Sequence, residues 1–284
     1  MQGKIMQSLF LLFLFQIVCG ELYTIEIEVI NVAPENGTSL TPVWVGFHDG
    51  SFDTFSPDSP VSPQVERLVE DGNTEPLSEF FLSQSDDDED FITGTIISDN
   101  TVERVIEHSK TGTEYFVIDS EKHRFLSLLS MVVPSNDAFV GNSEPRQYQL
   151  FDDDENLFID RTILWDGSNV WDAGSEVNDE IPENTNFYGQ TVPNTGVTEN
   201  SVVMKHPGLL PPGSGGIVDQ PQFENAGFTV DDDDYIIARI SVSSLFVNAP
   251  LYASYSPAEV ESVAFGEKLV IDLLLIVMFV LFLM

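Results

Sequence analysis

Residues Tyr23 to Val29 alternate without a break: Tyr23, Ile25, Ile27 and Val29 are apolar, and Thr24, Glu26 and Glu28 are polar. A two-residue period rich in β-branched side chains describes a strand with one face buried and the other wet, and it does not fit a helix. The segment Phe125 to Val133 is nearly all apolar and predicts a central strand covered on both faces. Shorter strand candidates are Pro42 to Phe47, Phe91 to Ile97, Thr113 to Ile118, Leu157 to Leu164 and Tyr235 to Val242. Clusters of Gly, Pro, Asn and Asp separate these runs, as antiparallel connections require. Helical spacing is confined to Val65, Leu68 and Val69, which follow Pro63 and precede a C-cap at Gly72, and to Pro76 to Leu82. The pattern predicts an all-β fold, an antiparallel β-sandwich with a short helical insertion. Residues Val177 to Glu224, rich in Asn, Pro and Gly, read as long loops, and loops of that length usually serve a function.

With 284 residues, 42% of them hydrophobic, and 21 Phe, the chain can build a substantial core. It carries 47 acidic against 11 basic residues, a formal charge of -36. That balance excludes nucleic acid as a partner and disfavours other polyanions and anionic lipid surfaces. The single cysteine, Cys19, excludes an internal disulfide, a cysteine zinc site and an iron–sulfur cluster. Residues 1–20 have the layout of a secretory signal peptide: Lys4, an apolar run from Leu9 to Phe15, then a compact Cys19-Gly20. Residues 249–268 form a polar spacer before the apolar tail 269–284, which reads as a GPI-attachment signal with Ser262 as the attachment residue. The alternative is a short membrane helix. In either case residues 21–248 form the body, outside the cell and tethered to its membrane. Asn36-Gly37-Thr38 is the only glycosylation sequon and is expected on an exposed turn.

Three acidic runs, Asp86 to Asp90, Asp152 to Glu155 and Asp231 to Asp234, are not EF-hands, because Phe91, Leu157 and Ile236 stand where the loop glycine is required. They read as solvated loops. No nucleophile elbow, paired-histidine zinc motif or phosphate-binding glycine loop occurs. The four histidines, His48, His108, His123 and His206, lack ligand spacing and read as packing or hydrogen-bonding residues. Two segments are more specific. Pro134-Ser135-Asn136-Asp137 puts Asp137 at the exit of the apolar strand. In Trp171-Asp172-Ala173-Gly174-Ser175-Glu176, Gly174 permits a tight bend that brings Asp172 and Glu176 together. Acids gathered at one end of a sandwich repel one another unless a hard cation binds, and oxygen-only ligands suit calcium.

The segments SMVVPSNDAFVG (130–141) and WDAGSEVNDE (171–180), with FHDG (47–50), LVEDGNTEPL (68–77) and KHPG (205–208), resemble the spondin N-terminal domain family over residues 21–245. The likeness is to its stand-alone, cysteine-free members. The resemblance implies a β-sandwich similar to C2 domains, with one calcium ion at the loop end held by Asp137, Asp172 and Glu176. Glu176 departs from the pattern by one methylene, where Asp is usual. The implied role is a non-enzymatic, calcium-binding adhesion or matrix module whose partner is an extracellular protein or glycan. The sequence carries no thrombospondin-type repeat or reelin-like domain, so roles that depend on such neighbours are not implied. Two other readings remain open: a secreted hydrolase using carboxylates of the Val177 to Glu224 loops, and an acidic protein that sequesters cations or mineral.

Overall fold

A computed structural model describes residues 20–85, 90–100, 104–152, 157, 161–231 and 233–247, all within one compact unit, Met1–Asn248. In chain order the strands are β1 (Leu22–Asn31), β2 (Ser39–Leu40), β3 (Val43–His48), β4 (Ile92–Ile96), β5 (Thr111–Asp119), β6 (Phe125–Val133) and β7 (Ala138–Gly141). They continue with β8 (Tyr148–Gln149), β9 (Arg161–Asp166), β10 (Trp171–Asp172), β11 (Met204–Lys205) and β12 (Ile236–Val247). Helices α1 (Pro63–Asp71) and α2 (Glu75–Ser83) lie between β3 and β4. A four-stranded sheet runs β5-β1-β12-β9 and an eight-stranded one runs β11-β10-β7-β6-β3-β4, with β2 and β8 also paired to β6.

The two sheets pack face to face. The alternation of β1 directs Tyr23, Ile25, Ile27 and Val29 inward, where they join Val45, Phe47, Leu126 and Leu128 of the larger sheet and Ile240 of β12 in one core. Every residue of β6 is buried, as its unbroken apolar run predicts. Its second face is covered by a further core, in which Trp44 and Leu129 meet Val65, Leu68 and Val69 of α1 and Leu77 and Phe81 of α2. The helical insertion is therefore a third layer.

The sequence explains why α1 forms where it does. Ser62 accepts the Val65 N–H at the N-terminus, Pro63 opens the first turn, and Gly72, at φ 66°, closes the helix by donating to Leu68 O at 2.8 Å. Some bounds differ from the sequence reading. β12 runs to Val247 rather than Val242, and the strand expected over Leu157 to Leu164 begins at Arg161, since residues 158–160 lie outside the described ones. Strand β7 was not anticipated, because four residues are too few to show a period. The proposed signal peptide up to residue 19, the spacer, Ser262 and the apolar tail also lie outside the described residues. Among the described residues no helix is long and apolar enough to cross a membrane.

Candidate metal centre

Pairing of β10 with β7 sets Asp172 opposite Ala138, the residue after Asp137. Asp137 is fully buried, and its Oδ2 accepts from Ser175 N at 2.9 Å, Ser175 Oγ at 3.1 Å and Glu176 N at 2.9 Å. The bend that delivers these donors depends on Gly174. Its φ is +67°, and a Cβ there would lie 2.8 Å from the Val202 backbone. Asp172 Oδ1 accepts from Gly174 N at 2.7 Å, and its Oδ2 accepts from Asn178 Nδ2 at 2.6 Å. Glu176 Oε1 accepts from Gly196 N at 3.0 Å. Gly196 is required by that approach, since an added Cβ would sit 2.0 Å from the Glu176 carboxyl carbon.

Each of the three residues singled out in the sequence is thus buried in one neighbourhood, and a fourth acid joins them. Glu70, on the last turn of α1, is 2% exposed. Asp137 Oδ1, Glu176 Oε2 and Glu70 Oε2 are buried with no hydrogen-bond partner. Burial pushes all these carboxyls up: Asp137 to about 7, Glu70 to about 7 and Glu176 to about 8, with Asp172 raised as well. Mutual repulsion adds to this, from Asp172 on Asp137 and from Glu70 and Asp137 on Glu176. The acids adjoin one another without converging on a point: among the described residues no three His, Cys, Asp or Glu side chains stand closely enough to grip a metal ion as they are.

Glu70 stands outside the two sharpest acidic motifs of the sequence. It lies inside LVEDG, whose Val65, Leu68 and Val69 face the second core. An acid two residues from the cap glycine, one position past an apolar stripe, was the available signal. His206 buttresses the site from behind. It is buried beneath β11, its Nδ1 accepts from Gly208 N at 3.0 Å, and its Nε2 lies 3.3 Å from Asn178 Oδ1. Asn178 in turn holds Asp172.

Three other acids of the Val177 to Glu224 loops, Glu180, Asp219 and Asp179, are engaged in holding the loops together. Glu180 Oε1 accepts from Leu210 N and its Oε2 from Ile217 N; Asp219 accepts from Gly213 N and Gly215 N. Asp179 binds Ile181 N and the amides of Asn136 and Asn184. Of the acidic runs, residues 86–89, 153–155 and Asp232 lie outside the described residues, while Asp231, Asp233 and Asp234 are exposed. Asn36 is exposed at φ 60° on the turn after β1, with its Nδ2 3.3 Å from Glu224 Oε1. His48 Nε2 lies 2.9 Å from Ser127 Oγ and His108 Nδ1 2.5 Å from Ala33 O, so both serve as hydrogen-bonding residues.

A family model described as Spondin_N matches residues 32–185, more than half of the 284-residue chain. The match takes in all three acids of the sequence motifs and Glu70, and stops short of His206. No curated protein matches the chain.

Proposed function

Since the chain belongs to the spondin N-terminal domain family, we propose that it is a non-enzymatic extracellular binding module whose loop end is organised by calcium and whose partner is an extracellular protein or glycan. The observation that carries this reading is the set of three buried carboxylates, Glu70, Asp137 and Glu176, each with one oxygen lacking a hydrogen-bond partner. A buried charged oxygen left unpaired is costly, and either a proton or a cation must answer it. The donors are all oxygen, which suits a hard cation. Asp137, Asp172 and Glu176 would hold the ion, and Glu70 adjoins them. The ion supplies positive charge to a buried acidic cluster, allowing these groups to stay ionised at neutral pH. The chain's own residues fix the frame. Ser175 and the Glu176 N–H orient Asp137, Asn178 and Gly174 orient Asp172, and the Gly196 N–H orients Glu176.

Membership of the family is compatible with a secreted protein. Tethering through the 269–284 tail is part of the proposal, and phosphatidylinositol-specific phospholipase C should release the protein from intact cells if the tail signals a GPI anchor at Ser262. Retention would favour a membrane helix.

Calcium is tested by thermal melts of the full-length chain in EGTA and in millimolar calcium at fixed ionic strength. At one hundred times Kd, an ion that binds only the folded state stabilises it by about 2.7 kcal/mol, or roughly 5–10 °C for a domain of this size. Asp172→Asn should remove most of that shift, whereas Asp233→Asn, on an exposed loop, should leave it intact. Equal shifts in wild type and Asp172→Asn would overturn the site. Equal loss in both variants would point to diffuse binding by the acidic surface.

A further inference from the structure

A cleft lies where β9, the edge strand of the smaller sheet, faces β8 and the β7–β10–β11 edge of the larger one. Its volume is about 520 Å³, within the range of small-ligand sites. The chain has 47 acidic and 11 basic residues, yet among the described residues this cleft is lined by Arg161 and Lys205 and by no acid. We propose that it is a binding site for a single carboxylate-bearing sugar residue, a uronic or sialic acid, with the carboxylate taken by Arg161 and Lys205.

The two cations differ in how they are held. Lys205 Nζ donates to Ser168 O at 2.8 Å and sits 3.7 Å above the Trp171 ring, which fixes its position and leaves two N–H groups. Among the described residues Arg161 makes one long contact, 3.5 Å to Gln147 O, which leaves most of its fork of donors unengaged by them. Burial lowers the Lys205 pKa, with Asp166 nearby opposing the shift, so an incoming carboxylate meets a partly dehydrated ammonium. Neutral hydrogen-bonding groups, Thr162, Asn169 and Gln147, line the remainder, which suits a ligand rich in hydroxyls. The charge of -36 sets an upper limit on the ligand. A polyanion would be repelled by the surface around the cleft, whereas one carboxylate on a neutral ring matches the two cations without that penalty.

The test is titration of the full-length chain, in saturating calcium throughout, with glucuronic acid, N-acetylneuraminic acid and glucose, followed by amide chemical shifts. Either acid sugar should bind with Kd on the order of 1 mM, roughly tenfold tighter than glucose. The tighter of the two acids assigns the sugar class. Arg161→Gln should weaken binding roughly tenfold. Thr162→Glu is the second variant: Thr162 is exposed, so the change places a repelling carboxylate at the cleft while sparing the fold. It should weaken binding of the acids and leave glucose unaffected. Absence of saturable binding by both acids, glucose binding as tightly as they do, or unchanged acid binding in both variants would overturn the proposal.

Discussion

Glu176 and Glu180 stand four residues apart on the same loop, 3% and 6% exposed, and do opposite things. Around Glu180 the structure is saturated. Two backbone N–H groups, of Leu210 and Ile217, close on its two oxygens, and the carboxylate clasps distant loops together. Around Glu176 it is deficient: one oxygen has a single donor, the other has none, and Glu70 and Asp137 press from the sides. In a chain with 47 acids, burial alone does not separate a structural carboxylate from a binding one. The distinction lies in whether donors have been supplied.

The largest effect should come from breaking the saturated side. Glu180→Ala removes two charge-assisted hydrogen bonds and leaves two N–H groups without acceptors, which costs about 2–4 kcal/mol. Urea unfolding in EGTA reads this loss, and the calcium-induced shift should survive it. A variant as stable as wild type would mean that the clasp does not hold the loops; a lost calcium shift would mean that clasp and cluster form one unit.

The deficient side should show itself through pH. A carboxyl whose folded pKa lies above its unfolded value binds more protons folded than unfolded, so its stabilisation is complete at low pH and is lost as pH rises through the folded pKa. For Asp137 and Glu70, at about 7, and Glu176, at about 8, the loss begins near the unfolded carboxyl value of about 4 and ends at about pH 7 to 8. His48 and His206, both held down to about 4 by burial, act the other way, losing stability as pH falls from 6.5. Below pH 6.5 these two histidines offset much of the carboxyls' loss; above it the loss is unopposed, so the calcium-free protein should weaken from pH 6.5 toward pH 8, by up to about 1.4 kcal/mol per pH unit for each extra proton bound. Saturating calcium should flatten the descent between pH 6.5 and 8. Glu70→Gln should also reduce it, raise calcium-free stability at pH 8 by on the order of 1 kcal/mol, and shrink the calcium shift. Melts across pH in EGTA and in calcium decide this. A calcium-free protein as stable at pH 8 as at pH 6.5 would remove the case for a charge-deficient cluster.

The two kinds of acid were unequally legible in the sequence. Alternation in β1 and the unbroken apolar run of β6 are local signals, and both strands lie where the sequence puts them. Asp137, Asp172 and Glu176 were visible because each sits beside a residue with a backbone task, at a strand exit or a glycine bend. Glu70 reaches the same cluster from α1 through tertiary packing, which no short spacing records. The third layer was hidden for a related reason. The turns of α1 and α2 are recognisable, but what they cover is set by Trp44 and Leu129 on distant strands. The clasp at Glu180 was wholly hidden, since its donors are main-chain groups 30 and 37 residues away.

The smallest effect concerns the support behind Asp172. Gly208 N–H donates to His206 Nδ1, so the imidazole proton resides on Nε2, which points at Asn178 Oδ1. That contact fixes which end of the Asn178 amide faces Asp172, and Nδ2 then donates to the carboxylate at 2.6 Å. With its pKa lowered to about 4, His206 stays neutral at physiological pH and the tautomer is maintained. His206→Phe keeps an aromatic ring beside Phe228, whose centroid lies 5.2 Å away, but removes both nitrogens. The Gly208 N–H then loses its acceptor, at a cost of about 1 kcal/mol, and the amide is free to turn its oxygen toward Asp172. Groups that directly hold a metal ligand commonly change affinity by about 10–100-fold, and His206 stands one link further out. Calorimetric titration of the variant with calcium should therefore show a loss of roughly threefold to tenfold, against near abolition in Asp172→Asn. Unchanged affinity would show that Asn178 keeps its orientation without the histidine, and that the support of the site ends one residue closer to the ion.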